Sequence, residues 1–224
     1  MKFRNKFIQI SCDGGAATGK STGAKMIAKK FKLKFLSSGL LYRYVSFLII
    51  RDKPKDKISF IKKKFKTLKY NRLERINLHT PEISDYSSVI AKNKNIRNIL
   101  KKFQIDFSKK NKNCCIEGRD ISTNILPNSD VKFYFVCELS VAARRRYNQL
   151  KKIDSNIKFN EVKKALKIRN ISDIKRKYSP LLKHRNSIEI DTGKLNKQAM
   201  LKKMTKHINI ILQKKYANWR IEGS

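Results

Sequence analysis

Residues 7–22, FIQISCDGGAATGKST, hold residue types whose order suits the grip of a polyphosphate. Gly14, Gly19, Lys20 and Ser21 fall in the spacing G-x-x-x-x-G-K-[ST]. Glycines let the backbone wrap a polyphosphate with successive N–H groups pointing inward, and a helix starting near Lys20 adds its positive N-terminal end. The stretch Gly14, Gly15, Ala16, Ala17, Thr18, Gly19, Lys20, Ser21 and Thr22 is therefore the expected cradle for a bound polyphosphate. Lys20 can reach the β- and γ-phosphates, and the Ser21 hydroxyl is placed to ligate Mg²⁺. The context agrees: an apolar run ending at Cys12 precedes the loop, and a helix-like run, KMIAKKF, follows it.

A second group of charged residues lies further along. It comprises LSSGLLYRYV (36–45), EGRDISTNILP (117–127), RRRYNQL (144–150) and RNISDIKRKYSPL (169–181). Arg119 and Asp120 directly follow a strand-like run, where an unpaired charge is costly, which favours function over surface. Arg144, Arg145 and Arg146 form a basic run that also suits a solvated helix face. Ser88 by itself reads as a helix-surface serine, and Asp173 has a possible partner in Lys177 one turn on.

The elements that must position these groups alternate. Short strand-like runs occur at 7–12, 34–37, 113–118, 131–136 and 187–191, each bounded by turn-forming or charged residues. Helix-like stretches fall at about 20–31, 40–51, 81–91, 94–109, 139–151, 158–177 and 195–217, with Ser140 and Asn160 as candidate helix starts. This alternation predicts an α/β fold with a parallel sheet covered on both faces. Ligands of such sheets bind at the carboxyl ends of the strands, where Asp13, Gly118 to Asp120 and Cys137 should gather. Residues 52–79 break the rhythm and read as a lysine-heavy insertion, a helix and a small hairpin.

Composition narrows the rest. The 224 residues are 40% apolar, enough for one large domain with insertions. No apolar run reaches the length of a membrane span, and the basic start MKFRNKF is not followed by a signal-peptide core, so a cytoplasmic location is expected. The four cysteines (Cys12, Cys114, Cys115, Cys137) lie in apolar runs and read as reduced, buried strand residues, without metal-ligand spacing to His79, His184 or His207. The net charge of +37 invites a nucleic-acid partner, but the lysines are dispersed from Lys2 to Lys215. Lysine, asparagine and isoleucine share A/T-rich codons, so a mutationally biased genome would give this charge without selecting for a ligand, and no specific nucleic-acid or membrane partner is expected.

Taken in order, these segments resemble the bacterial-type cytidylate kinases of the nucleoside monophosphate kinase group. The matching elements are an I-D-G-P-x-x-x-G-K-x-T loop, an L-D-[ST]-G-x-x-Y-R segment, a G-R-D-[IM]-G-T strand end, an R-R-x-x-Q-L helix and an R-D-x-x-D-x-x-R-x-x-x-P-L helix. They recur here from about residue 7 to residue 192. The resemblance implies a P-loop NTPase-type five-stranded parallel sheet and a single domain over 1–224. The core would be 7–51 and 94–217, the acceptor-binding insertion 52–93 and the lid 144–176. It implies phosphoryl transfer from ATP, with Mg²⁺, to CMP or dCMP by a monomer.

By the same resemblance, Arg43 holds the acceptor's α-phosphate, with Ser38 and Tyr42 shaping its pocket. Arg119 and Asp120 line the floor, Ser88 and Arg97 reach cytosine, Arg169 and Asp173 hold the sugar, and Arg176 the phosphates. Arg145 and Arg146 belong to the lid, and the catalytic set is Lys20, Arg119, Arg145, Arg146 and Arg176. Departures from the family pattern fall at Gly15 (usually proline), Ser37 (usually aspartate), His79 (usually arginine), Asn170 and Ser172 (usually charged). Two alternatives stay open: a P-loop kinase for UMP, another nucleoside monophosphate or a small alcohol, and a basic nucleic-acid-binding P-loop ATPase.

Overall fold

In a computed structural model, which describes residues 6–216, the β-branched and aromatic runs become five strands. These are β1 (Gln9–Gly14), β2 (Lys34–Ser37), β3 (Cys114–Gly118), β4 (Val131–Val136) and β5 (Ile188–Asp191). They form one sheet in the order β2-β3-β1-β4-β5, with β1 parallel to β3 and β4, and β4 parallel to β5. The central strands β1, β3 and β4 are buried along most of their length, polar positions such as Ser11 and Asp13 included. Cys12, Cys114 and Cys115 are buried in β1 and β3, whereas Cys137, expected within a strand, follows the end of β4 and is half-buried.

The helices are α1 (Lys20–Lys30), α2 (Ser38–Asp52), α3 (Lys57–Lys66), α4 (Pro81–Ile90), α5 (Lys94–Lys110), α6 (Leu139–Leu150), α7 (Phe159–Lys175) and α8 (Lys197–Lys215). Residue 217, at the expected end of the last helix, lies outside the described residues, as do residues 1–5 of the basic start. The chain divides into two compact units: one runs up to Phe35 and resumes at Lys112, the other is Leu36–Asn111. In the first, Ile10, Cys12, Phe133, Phe135 and Ile190 of the sheet pack with Ala24 and Ile27 of α1 and Met200, Met204 and Ile208 of α8. A smaller cluster joins Ala16 to Ala142 and Ala143 of α6 and Leu166 of α7. This seats two helices against the loop that follows β1.

The second unit contains α2 to α5. Phe65 of α3 packs edge-on against Phe103 of α5, with ring centroids 5.5 Å apart. The segment 52–79 forms α3 and a 3₁₀ turn, Tyr70–Arg75; the hairpin expected there is not formed. The expected helix is α3, capped by Asp56, whose carboxylate accepts from the N–H groups of Ile58 and Ser59. Neither Ser140 nor Asn160 starts its helix: Glu138 precedes α6 and Lys158 precedes α7, both without side-chain caps. Ser140 instead turns its hydroxyl to the Glu138 carboxylate, 3.3 Å away.

Candidate active site

The loop between β1 and α1 has the conformation its glycines permit. A Cβ on Gly14 would stand 2.5 Å from the Phe135 carbonyl oxygen, so β1 and β4 can approach here only without a side chain. Gly19 adopts φ +81° as the residue before α1, a left-handed geometry that swings the chain into the helix. The first-turn N–H groups of α1 have no intrahelical partners and present its positive end, with the Ser21 and Thr22 side chains exposed beside it.

Gly15, where a stiffening proline is absent, is restrained by its surroundings. Its carbonyl accepts from the Thr18 hydroxyl at 3.0 Å and the Lys20 ammonium at 3.4 Å. The Asn170 carboxamide oxygen of α7 accepts the neighbouring Ala16 N–H at 3.0 Å. Asn170, a departure from the family pattern, thus ties α7 to the loop without adding a negative charge there.

Lys20 lies 3.7 Å from the Glu117 carboxylate at the end of β3, both side chains being almost wholly buried. Burial first, then the Arg119 charge, lowers the Lys20 pKa to about 8, and Glu117 opposes the shift. Asp13, at the end of β1, is fully buried and accepts from the Ile121 and Ser122 N–H groups at 2.8 and 2.7 Å and the Ser122 hydroxyl at 2.6 Å. Burial raises its pKa to about 6 in spite of those three donors. The three bonds fix the single π turn, Ile121–Ile125, that leads out of Arg119 and Asp120.

Those two residues join α7 in one charged network. Arg119 Nε donates to Asp173 at 2.8 Å, and Arg176 Nη1 to the other Asp173 oxygen at 3.2 Å. Arg176 Nη2 stands 3.7 Å from Asp120, and Arg176 Nε donates to the Ser179 carbonyl at 2.6 Å. Asp173 therefore pairs with two arginines rather than with Lys177. Burial alone would raise its pKa, but Arg119 and then Arg176 hold it below the ordinary carboxylate value. Arg169 is half-buried on the same helix.

The three arginines of α6 separate. Arg144 lies over the Phe159 ring at 4.4 Å, Arg146 is half-buried, and Arg145 reaches across to Thr192 just past β5. Its Nη1 donates to the Thr192 hydroxyl at 2.8 Å and its Nη2 to the Thr192 carbonyl at 2.7 Å.

Within the second unit, other expected residues meet. The Arg97 guanidinium, 6% exposed, lies over the Tyr42 ring at 5.4 Å and donates to the Ala91 carbonyl. Arg43 Nη1 donates to the Leu78 carbonyl and contacts the His79 Nδ1, both at 3.1 Å. Ser38 is buried in the first turn of α2. Ser37 caps that helix by accepting the Leu40 N–H, the service an aspartate there would also perform. Ser88 is half-buried on α4, while its neighbour Ser87 is buried and bonds back to the Ser84 carbonyl.

Comparison with known proteins decides the lineage. The sequence model of the cytidylate kinase family matches residues 10–210. The chain belongs to the cytidylate kinase family. A cytidylate kinase from Bartonella tribocorum is 35% identical over 195 residues, covering 85% of this chain and 89% of the relative. One from Fusobacterium nucleatum is 34% identical, covering 90% and 97%. Among solved structures, a shikimate kinase from Bacteroides thetaiotaomicron aligns over 90% of this chain and 98% of its own, with TM-score 0.50 and 12% identity. An uncharacterized protein from Eubacterium ventriosum aligns over 92% and 99%, with TM-score 0.54 and 13% identity. Such distant likeness shows the fold alone, a five-stranded parallel sheet with its helices.

As a cytidylate kinase family member, the chain carries two residues at its loop that no motif pointed to. Glu117 precedes the conspicuous Gly118–Arg119–Asp120 and read only as the end of a strand. Thr192 stands just past the last strand of the sheet, and the rule that ligands gather at strand carboxyl ends was its one available signal.

Proposed function

We propose that this chain transfers the γ-phosphoryl group of ATP to CMP or dCMP, with residues 14–22 holding the donor. Arg43, Ser38 and Tyr42 take the acceptor's phosphate end, and Ser88 and Arg97 its base. Arg119, Asp120, Arg169, Asp173 and Arg176 complete the acceptor contacts. Support comes above all from the convergence of Arg119, Asp120, Asp173 and Arg176, which are distant in sequence, on one network where β3 ends. Phosphoryl transfer asks for charge stabilisation more than covalent help, and arginine forks and a buried lysine supply it. In this scheme Lys20 neutralises charge on the migrating group, and no general base is required. Arg145 and Arg146 stabilise charge from the lid side.

Mg²⁺ fits the residues present. The exposed Ser21 hydroxyl and the Glu117 carboxylate near Lys20 are hard oxygen donors, and no cluster of three His, Cys, Asp or Glu exists among the described residues. That set suits a cation shared with phosphate oxygens and water rather than a protein cage. Bound there, Mg²⁺ supplies charge neutralisation at the β- and γ-phosphates. The reading further includes a monomer working in the cytoplasm; no helix among the described residues is long and apolar enough to cross a membrane.

The test is a coupled ADP-release assay over CMP, dCMP, UMP, AMP and shikimate. Cytidine nucleotides should give the highest kcat/KM. Equal or better turnover with another acceptor would refute the substrate, and polynucleotide-stimulated ATP hydrolysis indifferent to CMP would refute the class.

A further inference from the structure

We propose that Thr192 is a positioning residue for ATP, whose hydroxyl links the phosphate loop to Arg145 and sets that guanidinium in place before nucleotide arrives. Thr192 is 4% exposed, and its N–H donates to the Val136 carbonyl at 2.9 Å, so the neighbouring strand fixes its backbone. Its hydroxyl has one proton to give. The Thr18 carbonyl at 2.8 Å is the better acceptor, the Val136 carbonyl standing 3.4 Å away. The oxygen lone pairs are then open to Arg145 Nη1, while the Thr192 carbonyl takes Nη2. One buried residue thus accepts two N–H groups of the guanidinium and donates its hydroxyl to one carbonyl of the loop.

The chemistry of the partners separates this arginine from the others. Arg119 and Arg176 are already paired with Asp173, so their charge is partly spent. Both acceptors of Arg145 are neutral oxygens, so its positive charge stays available for an anion. The guanidinium also lies at the loop itself: a Cβ built on Gly19 would stand 3.6 Å from Arg145 Nη1 and 3.5 Å from Thr192 Oγ1. A cation oriented by neutral groups beside an anion cradle costs no reorganisation when the ligand arrives. Valine at 192 would keep the shape and lose both hydroxyl bonds; serine would keep the hydroxyl.

This inference rests on the reading that residues 14–22 hold ATP and that Arg145 faces it. The experiment compares Thr192→Val, Thr192→Ser, Arg145→Ala and the double variant Thr192→Val with Arg145→Ala. Steady-state rates are taken with ATP varied at saturating CMP, then the reverse, alongside melting temperatures. Thr192→Val should raise the KM for ATP about tenfold, the loss of one hydrogen bond to a charged group, and leave the KM for CMP within about twofold. Thr192→Ser should restore the wild-type KM, and adding Thr192→Val to Arg145→Ala should change little more. A merely structural threonine would lower the melting temperature without an ATP-selective shift. Should Thr192→Val fail to fold, Thr192→Ala must show the same selective shift.

Equal effects on both substrates, failure of serine to rescue, or additive single effects would overturn the proposal. If Arg145→Ala raises the KM for ATP and Thr192→Val does not, the link through Thr192 fails and the ATP site stands. If Arg145→Ala leaves the KM for ATP unchanged, the placement of Arg145 fails as well.

Discussion

Lys20 holds its charge against its surroundings. Burial and the Arg119 guanidinium bring its pKa to about 8, with Glu117 holding it from falling further. The free enzyme therefore loses the Lys20 proton as pH rises through about 8, and kcat/KM for ATP should fall above that point. A bound triphosphate adds negative charge and pulls the pKa back up, so kcat should decline only at higher pH. A kcat/KM profile flat to strongly alkaline pH would contradict the assignment. Lys20→Ala should lower kcat by about two to three orders of magnitude, measured against an unchanged circular dichroism spectrum.

On the proposed acceptor role, Arg119→Ala should damage the kcat/KM for CMP by about a hundredfold or more and that for ATP far less, because Arg119 and Arg176 share Asp173. An equal loss for both nucleotides would move Arg119 to the donor side. At this scale the loop was legible in the sequence because its residues are neighbours along the chain. Thr192 was not: its partner Thr18 lies 174 residues away, and nothing in either residue's local sequence marks the bond.

At the level of elements, the turn after β3 hangs on Asp13. Its three donors place it where burial nonetheless raises its pKa to about 6, from 3.8 when unfolded. Between those values the folded protein binds the proton more tightly than the unfolded chain does. This contribution to stability is therefore present at low pH and lost as pH rises through about 6. Urea melts of wild type and Asp13→Asn should show it: going from pH 7 to about pH 4, the difference should move in favour of wild type by up to about 3 kcal/mol. A difference independent of pH would mean that Asp13 keeps an ordinary pKa.

The five strands could be read from the sequence because β-branched runs bounded by charges and turns are local signals. Segment 52–79 misled because its lysines and aromatics suit a hairpin face as well as a helix. The expected helix forms as α3, capped by Asp56, but a 3₁₀ turn at Tyr70–Arg75 stands where the hairpin was expected. The span of α6 was legible, 139–151 expected against Leu139–Leu150, but its start was credited to Ser140, a good capping type, whereas Glu138 precedes the helix without a side-chain cap. Substitution at Ser37 looked like a loss against the family pattern, yet a hydroxyl accepts the Leu40 N–H as a carboxylate would.

For the whole molecule, 54 lysines and arginines stand against 17 acidic residues, and that imbalance must reach the kinetics of anionic substrates. A cationic surface steers nucleotides inward, and salt screens it over about 10 Å at 0.1 M. Raising salt from about 50 to about 300 mM should lower kcat/KM for both nucleotides several-fold and hardly change kcat. An unaltered kcat/KM would show that the dispersed lysines contribute nothing to capture.

The central claim is direct transfer of the terminal phosphoryl group of ATP onto the phosphate of a cytidine nucleotide. The measurement nearest to it follows isotopically labelled γ-phosphate in a mixture of ATP, CMP and enzyme. The label should appear in the β-phosphate of CDP, in step with ADP, and Lys20→Ala should slow its appearance by about two to three orders of magnitude. Label released as inorganic phosphate, or ADP formed without CDP, would contradict the account.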